Sequence, residues 1–324
     1  MTSAAVRAVG DPLTVGGPGV LLTFPGSGAA GFRATAGQRL TVLAQRKTLT
    51  AADNTDLVVR RNGALVAEGT LLTTWSDVSV DFTAVTAGAY TVEVKPRAKD
   101  RGTLLLSLAG TTSGTLSIGG PAQKITIVEP GERAFLAFPA TAGQQLTLVA
   151  RRGSLSKDEY THLEIRDPSG EMSMAGAVGY EADYRTLDFD VTATGRHTLE
   201  VDPDTAGTGT LTVQLVGAVT TTLTAGQATR ITLARAGERA YVTFRAAESE
   251  QFLLTARRDT LTATEETRIR VRTPAGLEVV DATLTREKPA ATLGFSSSAG
   301  TYTIEIDPEG LDTGTLTLDL DKIT

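Results

Sequence analysis

Apolar and polar residues alternate with a period of two along nearly the whole chain, the pattern of strands buried on one face. Leu40–Ala44 (LTVLA) and Leu146–Ala150 (LTLVA) interleave aliphatic side chains with threonine and alanine. His162–Arg166 (HLEIR) and Arg268–Arg272 (RIRVR) set an aliphatic pair inward and polar residues outward. Tyr90–Val94, His197–Val201 and Tyr302–Ile306 repeat the alternation, each followed by a turn and a last strand: Gly102–Leu106, Gly209–Val213 and Gly314–Leu318. Threonine and valine dominate because branched β-carbons suit a pleated surface. Pro96, Pro203 and Pro308 open the turn before that last strand, where fixed φ and a missing N–H are harmless. Asp167–Gly170 (DPSG) and Thr273–Gly276 (TPAG) read as turns, and Asn62-Gly63 as a hairpin signal. Gly88, Gly195 and Gly300 precede the penultimate strand. No window carries a helical period: Ala246–Arg257 is polar and alanine-bearing but aligns with strand elsewhere in the chain. Strands with short Gly/Pro turns predict antiparallel β-sandwiches.

The pattern occurs three times. Thr35–Leu40 (TAGQRL) matches Thr141–Leu146 (TAGQQL), with a decayed copy at Ala247–Phe252, so Leu40, Leu146 and Phe252 stand at a constant offset of 106. That period is too long for a solenoid unit of roughly 20–50 residues and fits a self-sufficient small domain. The expected organisation is all-β, with three tandem antiparallel sandwiches over residues 1–110, 111–217 and 218–324. The seams near Gly110–Gly114 and Gly217–Thr222 are short, which favours a stiff series over a floppy string.

Composition narrows the partners. The 324 residues carry a net charge of −6, and the three copies carry +3, −6 and −3, which argues against nucleic acid. The chain has no cysteine, removing disulfides and thiolate chemistry. No stretch approaches the ~20 apolar residues of a membrane helix. Met1–Gly19 lacks the regions of a signal peptide, so the chain reads as cytoplasmic or, preferably, as a mature piece of an exported protein.

An aromatic strand (Ala134–Phe138, Ala240–Phe244) leads into AGQ-L-T-L, an apolar-x-apolar strand with a Pro-x-Gly turn, then G-x-Y-T-[VI]-E-[VI] and G-T-L-T-[VL]. This order resembles the bacterial pre-peptidase C-terminal domain and its relatives in tandem arrays, over roughly the whole chain. The resemblance implies a jelly-roll-like, non-catalytic sandwich attached to exported enzymes or surface proteins. The family's aspartate-rich strand corresponds to positions where only the first copy keeps an acid, Asp56, against His162 and Arg268.

Candidate chemistry is sparse. His197 occupies the position of Tyr90 and Tyr302 and reads as an aromatic strand residue, while His162 aligns with Asp56 and Arg268 as an exposed polar position. Gly26-Ser27-Gly28 lies in a turn without a nucleophile elbow's flanks. Asp77 with Asp81, and Asp188 with Asp190, share a face, residues two apart lying about 7 Å from each other, but they alternate with apolar neighbours as an outward face. Asp202 and Asp204, and Asp307 and Glu309, flank turn prolines with Asp312 nearby, the oxygen-rich arrangement calcium takes, whereas the first copy has Lys95 and Arg97 there. The recurrent polar feature is basic: Arg46 (in Gln45-Arg46-Lys47), Arg151-Arg152 and Arg257-Arg258 end the strand after the AGQ turn. These arginines either pair with turn carboxylates or offer a surface to an anionic polymer. Trp75 is the single tryptophan, and aromatics make up 5% of the chain, a thin supply for sugar stacking.

The expectation is a non-catalytic structural, spacer or adhesion segment of a bacterial surface or secreted protein, needing no cofactor, with calcium as the one candidate ion. Its partners would be neighbouring domains or a surface polymer, with no nucleic acid and no membrane insertion. The alternative is a binding module for an anionic glycan or protein partner through the repeated arginines.

Overall fold

The alternating segments fold as strands. The computed structural model describes residues 12–25, 28–97, 100–156, 158–180, 182–204, 207–262 and 266–323, and contains no helix among them. The first module supplies β1 (Val20–Phe24), β2 (Gly28–Ala34), β3 (Arg39–Arg46), β4 (Thr55–Arg61), β5 (Ala64–Leu71), β6 (Asp77–Thr83), β7 (Gly88–Pro96) and β8 (Gly102–Ala109). The second supplies β9 (Thr111–Thr115), β10 (Gln123–Ile127), β11 (Arg133–Ala140), β12 (Gln145–Arg152), β13 (Thr161–Arg166), β14 (Met172–Val178), β15 (Tyr184–Asp190), β16 (Gly195–Pro203) and β17 (Gly209–Gly217). The third supplies β18 (Val219–Thr222), β19 (Thr229–Leu233), β20 (Ala240–Ala246), β21 (Gln251–Arg258), β22 (Thr267–Arg272), β23 (Glu278–Leu284), β24 (Ala290–Ser296), β25 (Gly300–Pro308) and β26 (Gly314–Ile323).

In the first module the sheet β1-β8-β3-β6 faces β2-β7-β4-β5, the strand order of an eight-stranded jelly roll. The second module repeats it as β10-β17-β12-β15 and β14-β13-β16-β11-β9, and the third as β19-β26-β21-β24 and β18-β20-β25-β22-β23. Pairing is antiparallel except where β9 and β18 add as parallel edge strands to β11 and β20. Among the described residues no sheet mixes strands from two modules. One residue, Gly110, separates β8 from β9, and one, Ala218, separates β17 from β18.

Period-two burial puts the aliphatic pairs Leu57/Val59, Leu163/Ile165 and Ile269/Val271 at 0% exposure in three separate hydrophobic clusters. Each such side chain contributes about 1.5–3 kcal/mol on burial. A cross-strand aromatic pair stacks on the buried face of one sheet at the same site in every module, with ring centroids 5.4 Å apart: Phe32 on Tyr90, Phe138 on His197 and Phe244 on Tyr302. His197, buried at 1% exposure, therefore fills a tyrosine slot. Tyr90 donates its hydroxyl to the Thr86 carbonyl at 2.7 Å, whereas His197 Nε2 has no hydrogen-bond partner.

The repeated TAGQ turn has a mechanical explanation. The Thr35 and Thr141 amides donate to Gln38 and Gln144 Oε1 at 2.9 and 2.7 Å. In the decayed copy the Ala247 amide donates to Glu250 Oε2 at 2.9 Å, so an acid does the glutamine's work. Ser249, at φ +60°, takes the left-handed position that Gly37 and Gly143 hold in the other copies.

Candidate functional site

The five arginines read as an anionic surface divide by strand alternation. Arg46, Arg152 and Arg258 point off the end of β3, β12 and β21 into the adjoining loops. Arg46 donates to the carbonyls of Trp75 (3.1 Å), Thr50 (2.9 Å) and Leu72 (3.0 Å). Arg152 donates to the Ala182 carbonyl and the Asp183 carboxylate. Arg258, its side chain 4% exposed, donates to the Leu261 carbonyl and lies 3.6 Å from the buried Asp312. These three act as loop clamps, with the side chains of Arg152 and Arg258 buried and that of Arg46 partly so. Only Arg151 and Arg257 face outward, one per module, the latter 3.5 Å from Asp259.

Three of the four calcium candidates lie beside basic side chains. Asp202 pairs with Arg133 at 2.9 Å, Asp204 with His162 Nε2 at 3.0 Å, and Asp307 lies 3.6 Å from Arg270, while Glu309 is exposed in the turn. Among the described residues no group of three or more acids or histidines gathers as an ion would require. Of the candidate turn Gly26-Ser27-Gly28, the first two lie outside the described residues, as do residues 1–11.

What the fold brings together lies between modules. The tetrapeptide Gly-Glu-Arg-Ala opens β11 as Gly131–Ala134 and β20 as Gly237–Ala240, and each of its first three residues has a separate task. Gly131 (φ +80°) and Gly237 (φ +76°) press on the preceding module. A β-carbon on Gly131 would stand 3.3 Å from Thr41 Cγ2, and one on Gly237 would stand 2.5 Å from Val149 Cγ2. The buried carboxylates of Glu132 and Glu238 hold the turn by accepting amides, from Val128 at 2.7 Å and from Ala234 at 2.6 Å. The arginine crosses the boundary. Arg133 meets Asp81 of the first module at 2.5 Å, with Glu200 and Asp202 of its own sheet at 2.8 and 2.9 Å. Arg239 approaches Asp188 at 3.2 Å and Glu305 at 3.6 Å. Its Nε is not aligned for a hydrogen bond, so the Asp188 approach is a charge contact. Thr41 and Thr147 orient the acceptors, donating to Asp81 and Asp188 at 2.6 and 2.5 Å.

Burial at these joints pushes the carboxyls of Asp202 and Asp307 up to about 6, against the opposing pull of Arg133 and of Arg239 with Arg270. Burial likewise raises the Tyr241 phenol to about 12.

Beside each joint opens a cleft. The first, about 630 Å³, is bounded by Arg39 and Thr83 of the first module and by Phe135, Arg166, Arg196 and Thr198 of the second. The second, about 430 Å³, carries Gln145, Asp190, Tyr241, Arg272, Thr301 and Thr303 at the corresponding places. A β-bulge recurs at Ile165/Arg166 and Val271/Arg272, re-aiming the arginine at the cleft rim.

The signal for the joints was present in the chain as the identical tetrapeptide at an offset of 106, absent from the first copy, where Pro25-Gly26-Ser27 stands. Strand patterning passes over it because it lies at a turn.

No family model matches the chain, and no curated protein matches it. Solved structures similar in part include PliG of Aeromonas hydrophila, a periplasmic inhibitor of g-type lysozyme (10% identity, TM-score 0.24, 32% of this chain and 97% of that one). Another is the M60 catalytic domain with CBM51-1 and CBM51-2 domains of Clostridium perfringens ZmpB (10% identity, TM-score 0.22, 94% of this chain and 34% of that one). A third is the CUB1-EGF-CUB2 segment of rat MASP-1 (9% identity, TM-score 0.20, 64% of this chain and 99% of that one).

Proposed function

We propose that this chain is a non-catalytic spacer, three jelly-roll modules docked in series that hold attached domains at a set separation on a bacterial surface or secreted protein. The observation that carries the reading is the joint built twice from the same parts: glycine against the preceding sheet, glutamate holding the turn, arginine on an aspartate fixed by a threonine. Two equal joints relate each module to the next in the same way, as a series requires and a catalytic assembly of unlike lobes does not. The third module carries Leu253 and Gly294 where Thr41/Thr147 and Asp81/Asp188 stand, so its corresponding face lacks the acceptor pair. One acid of each pair considered for hydrolysis is engaged structurally, Asp81 and Asp188 each by a threonine and an arginine. The strand and turn motifs resembling the pre-peptidase C-terminal domain support an exported setting.

Small-angle scattering tests the reading. An extended particle whose maximum dimension approaches three module lengths is expected, each length about 25 Å for strands of seven to eight residues. A compact particle, or a broad distribution of separations, would overturn it.

A further inference from the structure

We propose that the cleft between the first and second modules binds a carboxylate-bearing glycan, through the guanidiniums of Arg39 and Arg196. The inference concerns residues outside both arginine clamps and joints, and it stands independently of the spacer reading.

The charges of this cleft do not cancel. Its three acids are already engaged: Asp81 by Thr41 and Arg133, Glu200 by Arg133 and Arg166, and Asp167 by the Ser169 and Glu171 amides of its own turn. Arg133 and Arg166 are the arginines those acids occupy. Arg39 and Arg196 remain, both exposed and both without a carboxylate partner among the described residues. Arg39 is held in place all the same, its Cζ 4.1 Å from the centre of the Phe135 ring across the module boundary. Arg196 lies on the outer face of β16 two residues from Thr198, which pairs directly with Arg166, so Arg166 and Arg196 are diagonal neighbours at about 7–8 Å. The cleft thus offers two forks suited to bidentate carboxylate binding, that of Arg39 held on Phe135, with the hydroxyls of Thr83, Thr198 and Ser169 around them. Its volume of about 630 Å³ lies within the ~300–1,000 Å³ usual for ligand sites.

The second cleft has the corresponding walls without the two unengaged arginines. Gln145 replaces Arg39, Thr301 replaces Arg196, and Asp190, exposed and without a partner among the described residues, replaces Thr83. Arg245 stands opposite Thr301 on β20 but does not line this cleft. One boundary therefore presents free guanidiniums and the other a free carboxylate. A glycan is favoured as the occupant because its carboxylates are spaced by hydroxyl-bearing rings, matching arginines interleaved with hydroxyls. A densely charged polyanion would meet the acidic bulk of the second module, which carries 14 acids against 8 bases.

Isothermal titration of the whole chain with oligogalacturonate is the test, with neutral maltohexaose and a hexaglutamate peptide as comparison probes. We expect one oligogalacturonate per chain, bound more weakly as salt rises. Affinity should fall about tenfold or more in R39A/R196A, whose exposed positions leave the circular dichroism spectrum intact, and stay unchanged in R151A/R257A. The variant Q145R/D190T/T301R should raise the stoichiometry to two. Absence of binding at low salt, retention within about twofold in R39A/R196A, or equally tight binding of maltohexaose or hexaglutamate would overturn the proposal. Scattering reads the spacer and titration reads the cleft, so failure of one is distinguishable from failure of the other.

Discussion

Arg133 reaches from the start of β11 in the second module to Asp81 on the first module at 2.5 Å, and it does so with two further carboxylates of its own sheet within 2.9 Å. Three acids around one guanidinium make the arginine the component whose loss matters most, since its removal leaves mutually repelling charges in a half-buried site. R133A should cost about 2–5 kcal/mol of docking. Calorimetry should then resolve the first module melting separately from the other two. G237V should do the same at the second joint by steric means, because the new side chain meets Val149 Cγ2.

The joints should strengthen in mild acid. The folded-state pKa values of Asp202 and Asp307 stand at about 6, above the ordinary carboxylate value of 3.8, so the docked form holds protons more tightly than the unfolded chain. Stability from these groups is present below the ordinary value and is lost as pH rises through about 6. Asp56, lowered by Arg97, and Glu250, lowered by Lys322, act in the opposite sense, and their stabilisation is lost only as the pH falls below the usual carboxylate range. The melting temperature should therefore fall between about pH 4 and 6, and D202N/D307N should flatten that segment of the profile.

Replacing His197 by the residue its sister modules use should stabilise the second module. The tyrosine hydroxyl would reach toward the Ala193 carbonyl, the counterpart of Thr86, and would remove the unsatisfied Nε2. H197Y should gain about 1 kcal/mol, which for a domain near 100 residues appears as about 4–8 °C in the melting transition.

Neighbouring arginines should differ sharply. R258A leaves Asp312 buried opposite a lost charge and should cost about 3–5 kcal/mol in the third module. R257A, with a side chain 64% exposed beside Asp259, should change stability by less than about 0.5 kcal/mol. Chemical denaturation of the two variants makes the comparison.

Much of the fold was legible because period-two alternation directly reports which side of a strand is buried; Leu163 and Ile165, or Ile269 and Val271, were placed by that rule alone. His197 was legible through its alignment with Tyr90 and Tyr302. The basic pairs were visible but not interpretable: Arg151 and Arg152 are adjacent, and only a known loop on one side decides which of them is a clamp. The joints were harder still. Arg133 and Asp81 belong to different modules, and no periodicity within one copy can pair them. Their signal was positional, a tetrapeptide shared by the second and third copies and missing from the first.

The single residue at each seam bears on how tightly these modules must grip. With β8 and β9 each fixed in a different sheet, relative motion about the first boundary is confined largely to the φ and ψ of Gly110, and about the second to those of Ala218. Immobilising one residue's backbone forfeits only about 1–2 kcal/mol of entropy. Arg133 on Asp81, Gly131 on Thr41 and Arg39 on Phe135 act against that small loss, whereas separately diffusing subunits would have to offset all of their translational and rotational freedom.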